Sequence, residues 1–196
     1  MASGRGSNFQ AILKEHLIGN LPDVEITHLI VNKKKAKAIE VAEGYDIPYT
    51  VVESIERTRE EFENEIITIF KEQNIEVIVL AGFMRILTAN FINKYKHKII
   101  NIHPSLLPAF PGAHAHRDAI KFGAKESGCT VHLVDEGVDS GPIVMQASVN
   151  LEDGETEESL SSKILIEEHH IFPIAVQLLC SNKIEINGQN VKINPD

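Results

Sequence analysis

Two polar side chains, Asn101 and His103, stand in an otherwise apolar run that ends at Pro104. The run from Lys98 to His103 predicts a short buried strand, and side chains two residues apart on a strand point to the same face. Pro104 and Pro108 predict a stiff, irregular loop after the strand. An amide can donate to an oxyanion, and an imidazole can pass a proton or add positive charge. The pair therefore indicates a site for developing negative charge, although a histidine satisfied within the core is the alternative for His103 alone.

A carboxylate that could serve this pair lies in the acidic, glycine-rich loop Asp135-Glu-Gly-Val-Asp-Ser-Gly-Pro142. Asp139, placed beside His103, would hold the tautomer of the ring and favour the imidazolium. An aspartate that only serves the turn is the alternative. The chain shows no nucleophile in a recognisable elbow or with an obvious base, so direct group transfer is favoured over a covalent intermediate.

The first residues of the chain form a candidate anion site. The glycine-rich stretch Gly4-Arg-Gly-Ser-Asn8 runs directly into a segment with apolar residues at 9, 12, 13 and 17, which predicts a helix. Ser7 or Asn8 is predicted to cap that helix. Free N–H groups and the positive end of the helix dipole suit a phosphate, while a tight turn with a cap is the structural alternative.

Strand and helix patterns alternate along the chain, which predicts an α/β fold with a doubly wound, mostly parallel open sheet. Ligands of such sheets bind beyond the carboxyl ends of the strands, where Asn101 and His103 are expected. Residues 1–196 are interpreted as a single domain, with a C-terminal hairpin at about 183–193 around an Asn-Gly turn. The predicted strands cover residues 24–32, 49–52, 75–80, 98–103, 128–135 and 143–150. The predicted helices cover residues 9–17, 33–44, 57–73, 89–95, 114–123 and 156–179, with Pro173 expected to kink or split the last one.

Composition narrows the classes of partner. The chain has 28 acidic and 19 basic residues among 196, and its formal charge of −9 argues against nucleic acid as the main partner. The sequence shows no long apolar run and no signal peptide at its start, so a cytoplasmic protein without a membrane partner is expected. Cys129 and Cys180 are interpreted as reduced core thiols. No third ligand accompanies His114 and His116, so no metal is expected.

Several motifs, in this order, resemble the formyltetrahydrofolate-dependent formyltransferases, over residues 3 to about 185. They are Gly4-Arg-Gly-Ser-Asn8, Ala81-Gly-Phe-Met-Arg-Ile-Leu87, Asn101-Ile-His-Pro-Ser-Leu-Leu-Pro108, Thr130-Val-His132, the acidic loop and Glu167-Glu-His-His-Ile-Phe-Pro173. Within this family they are most similar to the members that act in purine biosynthesis. The resemblance implies a Rossmann-like formyltransferase fold.

The implied reaction is transfer of a formyl group from 10-formyltetrahydrofolate, a co-substrate, to the amine of glycinamide ribonucleotide. Asn101 and His103 would hold the tetrahedral oxyanion. Asp139 would orient His103 and assist proton transfer through water. The implied partners are these small molecules, with no metal, and the protein is expected to be a monomer or a homodimer.

The resemblance also assigns the binding residues. Gly6, Ser7 and Asn8 would bind the ribose phosphate, and Glu168 would lie near the ribose. The folate pocket would be lined by Met84, Arg85, Ile86, Leu87 and Val138. His114 and Thr130 match positions that support the site from behind its substrate-facing residues.

Three alternatives stay open beside this interpretation. A formyltetrahydrofolate hydrolase resembles the chain too, but that family normally carries an extra N-terminal regulatory domain. The intact trio of Asn101, His103 and Asp139 argues against a folate- or nucleotide-binding module without turnover. A transferase that formylates transfer RNA is disfavoured by the length and charge of the chain.

One departure from the family pattern concerns the start of the chain. The family carries a hydrophobic first strand ahead of the residues that match Ala2 and Ser3, and here that strand is expected to be missing or truncated. The hypothesis is that the true start lies upstream. Phosphate binding would be weakened most, because that strand positions the glycine loop.

Overall fold

The computed structural model describes residues 1–194, and the predicted alternation of strands and helices is confirmed. The helices are α1 (Ser7–Leu17), α2 (Ala38–Gly44), α3 (Arg59–Glu72), α4 (Ala89–Lys94), α5 (Ala115–Phe122) and α6 (Glu157–Cys180). The strands are β1 (Leu29–Val31), β2 (Tyr49–Val51), β3 (Ile78–Leu80), β4 (Ile99–His103), β5 (Glu126–Leu133), β6 (Ile143–Asn150), β7 (Ile184–Asn187) and β8 (Asn190–Ile193). None of the helices in this described part of the chain is long and apolar enough to cross a membrane.

The strands form three sheets. β1 pairs with β2 in parallel, and the order β3-β4-β5-β6 makes a second sheet in which β3 and β4 are parallel and the last two strands run antiparallel. β7 and β8 form the predicted C-terminal hairpin. The antiparallel pairing of β4 with β5 sets Asn101 opposite His132 and His103 opposite Thr130, so polar residues of two strands meet at one place.

Residues 1–3 join the first two sheets. The N–H of Ala2 donates to the carbonyl of Ile30 over 3.0 Å, and the N–H of Ala81 donates to the carbonyl of Met1 over 2.9 Å. Among the described residues, Ala2 and Val31 form a single isolated bridge in the parallel sense. Within residues 1–194, no complete strand precedes β1.

Several boundaries differ from the sequence-based predictions. β1 covers Leu29–Val31 instead of residues 24–32, because the pairing with β2 begins at Leu29 and residues 24–28 pair with no strand in the described part of the chain. α2 begins at Ala38, not at residue 33. α6 runs unbroken through Pro173, so the predicted split is wrong. Its start is fixed by the predicted cap, since Thr156 and Ser159 exchange side-chain-to-backbone hydrogen bonds.

A buried carboxylate ties α3 to α4. Glu63 is 3% exposed, and its Oε1 accepts a 2.7 Å hydrogen bond from the N–H of Thr88 while Oε2 accepts from the Thr88 hydroxyl. Thr88 in turn caps α4 by accepting from the N–H of Phe91 over 3.2 Å. The segment that carries Arg85 and Leu87 ends at this anchor.

Glu63→Gln is expected to lower the free energy of unfolding by about 1 to 3 kcal/mol, because an amide cannot accept from both Thr88 donors and leaves a buried polar group unpaired. Urea unfolding measures the effect. Glu60→Gln, on the exposed side of the first turn of α3, is the matched control and should change little. Equal losses in the two variants would contradict this role of Glu63.

Candidate active site

Asn101 and His103 lie in β4, as the sequence predicts, at the end where the strand enters the proline-rich loop. His103 is 5% exposed and Asn101 is half-buried. Across the strand pair, Nδ2 of Asn101 lies 3.1 Å from Nε2 of His132. An amide and two imidazoles therefore share one buried patch at the edge of the sheet.

Asp139 reaches this patch from the acidic loop. Its Oδ2 lies 3.3 Å from Nδ1 of His103 and accepts a 2.8 Å hydrogen bond from the N–H of Gly112. Its Oδ1 lies 3.7 Å from Nε2 of His132. The hydrogen bond from His132 is the largest of the effects that lower the pKa of Asp139 to about 2; the Gly112 N–H and the charge of His103 add to it, against the opposing effect of burial.

In each histidine the ring nitrogen that faces away from Asp139, here called the outer nitrogen, lies against a main-chain carbonyl, and the inner nitrogen faces Asp139. Nε2 of His103 lies 2.9 Å from the carbonyl oxygen of Phe110, and Nδ1 of His132 lies 2.9 Å from that of Leu133. A carbonyl only accepts, so these nitrogens carry the hydrogens in the hydrogen-bonded tautomers. The inner nitrogen of a neutral ring would then turn a lone pair toward the Asp139 carboxylate. The carboxylate of Asp139 would be the counter-ion for a proton that one of these rings takes up during a reaction.

Thr130 fixes the loop that follows His103. Its hydroxyl donates to the carbonyl of Ser105 over 2.7 Å and accepts from the N–H of Leu107 over 3.0 Å. The amide of Gln146 donates both to this hydroxyl and to the Leu107 carbonyl, over 2.8 and 3.0 Å. Thr130 therefore supports the site through main-chain groups of residues 105–107.

His114 and His116 are placed differently. His114 is exposed, and within residues 1–194 its side chain makes no hydrogen bond or ion pair. His116 is half-buried, and burial lowers its pKa; the charge of Glu157 raises it and that of His103 lowers it further. No group of three or more metal-ligating side chains occurs among the described residues.

The glycine loop leads into α1, but its cap differs from the prediction. Gly6, in the left-handed region at φ 77°, is the N-cap, and neither Ser7 nor Asn8 makes a side-chain cap. The first intrahelical hydrogen bond joins the N–H of Gln10 to the carbonyl of Gly6 over 2.8 Å. The preceding N–H groups, at residues 7–9, have no acceptor in the described chain. An anion at this helix end would be met by free donors and the positive end of the dipole.

Asn8 and Glu168 are brought together beside this helix end. The Asn8 amide donates to Oε2 of Glu168 over 2.7 Å, and Oδ1 of Asn8 is buried without a partner in the described structure. Burial is the main effect that raises the pKa of Glu168, and the hydrogen bond from Asn8 and the charge of Arg5 oppose it. The α1–α6 packing thus places the two predicted ribose-phosphate residues next to each other.

The predicted folate residues divide into two groups. The side chains of Met84, Ile86 and Val138 are exposed, at 75%, 59% and 56%. Leu87 is packed in the core. The guanidinium of Arg85 donates to the carbonyls of residues 54 and 57 and lies 4.7 Å over a Phe ring at position 62. Arg85 and Leu87 can therefore offer a ligand their main chain more readily than their side chains.

A cavity of about 380 Å³ adjoins this region. Val138 and Asp139 line it together with Pro108 of the proline-rich loop and Gln189 at the tip of the C-terminal hairpin. The acidic loop is tied to α4 by a 2.7 Å hydrogen bond from the Asn93 amide to Glu136. The cavity therefore opens beside the carboxylate that faces the two histidines.

Sequence reasoning did not assign site roles to His132, Gln146 or the carbonyl of Phe110. His132 was visible only as a polar residue on the same face as Thr130 in a predicted strand. Only the register of the β4–β5 pair, which the sequence does not give, places His132 opposite Asn101. No sequence signal marks the Phe110 carbonyl, because its position depends on the loop conformation.

The depressed pKa of Asp139 predicts a loss of stability in acid. Because its folded value, about 2, lies below the usual 3.8, the carboxylate contributes stability above pH 4, and this is lost as the pH falls toward 2. The full contribution is about 2 kcal/mol, at 1.36 kcal/mol per pKa unit. Urea unfolding of the wild type and Asp139→Asn should show a difference at pH 7 that shrinks by pH 3. A difference independent of pH would contradict the assignment.

Comparison with known proteins identifies the family of this chain. Residues 1–176 match the model of the formyl transferase family. The phosphoribosylglycinamide formyltransferase of Bacillus subtilis is 41% identical, over 91% of this chain and 91% of its own. The human trifunctional purine biosynthetic protein adenosine-3 is 40% identical over 98% of this chain, which spans only 19% of that protein's length. The crystal structure of glycinamide ribonucleotide transformylase 1 from Symbiobacterium toebii superposes with a TM-score of 0.96, at 36% identity, covering 99% of this chain and 92% of its own. The chain belongs to the formyl transferase family.

Proposed function

We propose that this protein transfers a formyl group from 10-formyltetrahydrofolate to the amine of glycinamide ribonucleotide, as a single formyl-transferring domain. The products are formylglycinamide ribonucleotide and tetrahydrofolate. The observation that carries the proposal is the cluster of Asn101, His103 and Asp139, with a 3.3 Å contact between the last two. Similarity to relatives named as phosphoribosylglycinamide formyltransferases supports the substrate pair.

The reaction needs stabilisation of an oxyanion. When the amine attacks the formyl carbon, a C–N bond forms and the formyl oxygen takes on negative charge. The Asn101 amide has two N–H groups; one points to His132, and the other is available to the oxyanion. His103 adds the positive charge of an imidazolium, which Asp139 stabilises from its other side. This charge acts on the oxyanion even while Nε2 of His103 remains bound to the Phe110 carbonyl.

The reaction also needs one net proton movement. The attacking amine loses a proton, the nitrogen of the folate gains one, and the bond between that nitrogen and the formyl carbon breaks. Asp139 is proposed to relay this proton through water, because its carboxylate contacts both histidines and lines the adjoining cavity. Direct transfer by this route requires no covalent intermediate with the protein.

The two substrates are proposed to enter from opposite sides of the cluster. The free N–H groups at residues 7–9 bind the phosphate of the ribonucleotide, and Glu168 accepts from a ribose hydroxyl. The exposed side chains of Met84, Ile86 and Val138 cover the apolar part of the folate. The main chain of residues 85 and 87, which makes no backbone hydrogen bond within residues 1–194, binds its polar groups. The formyl group then lies beside the Asn101 amide.

The proposal is tested by following tetrahydrofolate release from 10-formyltetrahydrofolate in the presence and absence of glycinamide ribonucleotide. We expect release to depend on the ribonucleotide. The corresponding ribonucleoside, which lacks the phosphate, should have a KM about tenfold higher or more. Release at the same rate with water alone would identify a hydrolase instead. Binding of both compounds without release would identify a module without turnover.

A further inference from the structure

The chain between β3 and α4 presents two exposed apolar side chains on a segment without regular structure. Residues 83–87 belong to neither a helix nor a strand, and within residues 1–194 they make no hydrogen bond between main-chain groups. Met84 and Ile86 are exposed, whereas Phe83 and Leu87, on either side of them, are packed in the core. The conformation of this segment therefore depends on contacts that its side chains make with neighbouring elements.

Two of these contacts meet at one aromatic ring of α3. The ring of Phe62, which is fully buried, stacks on the ring of Phe83 with 6.3 Å between the centroids. The guanidinium of Arg85 lies 4.7 Å over the same Phe62 ring, a geometry in which a cation is attracted to the ring face. This guanidinium also donates to the carbonyls of residues 54 and 57, over 2.9 and 3.4 Å. Residues 83 and 85 are thereby held against α3 and the loop that precedes it.

The next residue of α3, Glu63, holds the far end of the segment. Its carboxylate accepts from both the N–H and the hydroxyl of Thr88, the residue that follows the segment. Within residues 1–194 the Glu63 side chain makes no other hydrogen bond or ion pair. Both oxygens of a buried carboxylate are thus committed to a single residue.

Keeping a carboxylate at this buried position is costly to the fold. Removing the charge from water carries a desolvation penalty, which an apolar side chain of similar size would avoid. A carboxylate, unlike an apolar side chain, fixes its partner in direction as well as in distance. Glu63 therefore selects one position of Thr88, and with it one conformation of residues 83–87, in addition to stabilising the fold.

We propose that Glu63 is a positioning residue for the folate co-substrate. By fixing Thr88, it keeps residues 84–87 in the arrangement that binds folate. Glu63 itself is 3% exposed, lies behind the segment and touches neither substrate. This inference rests on the proposed function, because it concerns the co-substrate named there.

Glu63→Gln is expected to weaken folate binding and to leave the chemical step unchanged. An amide cannot accept from both donors of Thr88, so residues 83–87 populate the binding arrangement less often. The apparent dissociation constant rises in inverse proportion to that population, by about threefold or more. Calorimetric titration with tetrahydrofolate measures this constant without any turnover. In steady-state assays, KM for 10-formyltetrahydrofolate should rise by a similar factor, whereas kcat and KM for glycinamide ribonucleotide should stay within about twofold of the wild-type values.

A matched core variant separates positioning from stability. Ile164→Val, on α6, removes a methylene group from a hydrophobic cluster that contains neither Phe62 nor Leu87. It should destabilise the protein without changing the dissociation constant. All titrations are made well below the melting temperature, where each variant is folded. An equal rise of the dissociation constant in Glu63→Gln and Ile164→Val would overturn the proposal, since the effect would then follow stability alone.

Two substitutions of Thr88 supply an independent test. Thr88→Ser keeps both donors and should bind tetrahydrofolate like the wild type, whereas Thr88→Val keeps only the main-chain N–H and should resemble Glu63→Gln. A rise of less than about threefold in Glu63→Gln would overturn the role of Glu63, and so would Thr88→Ser binding as weakly as Thr88→Val. A wild type that binds tetrahydrofolate but transfers no formyl group would contradict the proposed function instead, and the ratio of dissociation constants would still decide the role of Glu63.

Discussion

Asp139→Asn and His103→Ala are each expected to lower kcat for formyl transfer by about a hundredfold or more, the scale typical of a positioned proton-transfer group. Asparagine keeps the shape of Asp139 but removes the negative charge that faces His103 at 3.3 Å and His132 at 3.7 Å. The imidazolium that is proposed to form at His103 during the reaction then loses its counter-ion. Steady-state kinetics with glycinamide ribonucleotide and 10-formyltetrahydrofolate measure the effect.

The separate effects on kcat and KM distinguish a role in the chemical step from a role in substrate binding. KM for the ribonucleotide should change little, since its phosphate is proposed to bind at the distant end of the site. Asp153→Asn is the control for a change of net charge, because the side chain of Asp153 is 99% exposed, and it should behave like the wild type. A kcat of Asp139→Asn within threefold of the wild-type value would remove Asp139 from the proposed mechanism.

Gly6→Ala is expected to raise KM for glycinamide ribonucleotide by about tenfold or more and to destabilise the protein. A Cβ at residue 6 would lie 2.8 Å from both Cα and Cβ of Ala38, and the backbone there has φ +77°, which side chains rarely adopt. The glycine loop must shift, and the free N–H groups at residues 7–9 shift with it. Initial-rate kinetics and thermal unfolding report the two effects.

Gly4→Ala provides the matched control in the same loop. A Cβ at residue 4 would meet no atom within 4 Å, so both KM and stability should stay close to the wild type. If Gly6→Ala left KM unchanged while lowering stability, residue 6 would serve the fold and not the phosphate. Equal increases of KM at both positions would show that the close approach of residue 6 to Ala38 does not matter for ribonucleotide binding.

The sequence was most informative where a local rule decides the geometry. Alternation along β4 was enough to predict that Asn101 and His103 share a face. The capping signature at Thr156 predicted the start of α6 correctly. The open α/β sheet followed from the order of the patterns.

The sequence was least informative where distant segments meet. The contact between Asp139 and His103 depends on a loop in which Asp139 itself adopts a positive φ of 52°. The contact between Asn101 and His132 depends on strand register. The helix cap was predicted wrongly because Gly6 in the left-handed region replaces the side-chain cap expected from Ser7 or Asn8. The commitment of the Arg85 guanidinium to main-chain carbonyls likewise depends on how its segment packs against residues 54–62.

The destination of the formyl group tests the central claim most directly. The protein would be incubated with 10-formyltetrahydrofolate carrying a ¹³C-labelled formyl group and an equimolar amount of glycinamide ribonucleotide, and the labelled products would be followed by NMR. The account predicts that nearly all of the label appears on the glycinamide nitrogen and almost none as formate. Label that accumulates as formate, or stays on the folate, would contradict it.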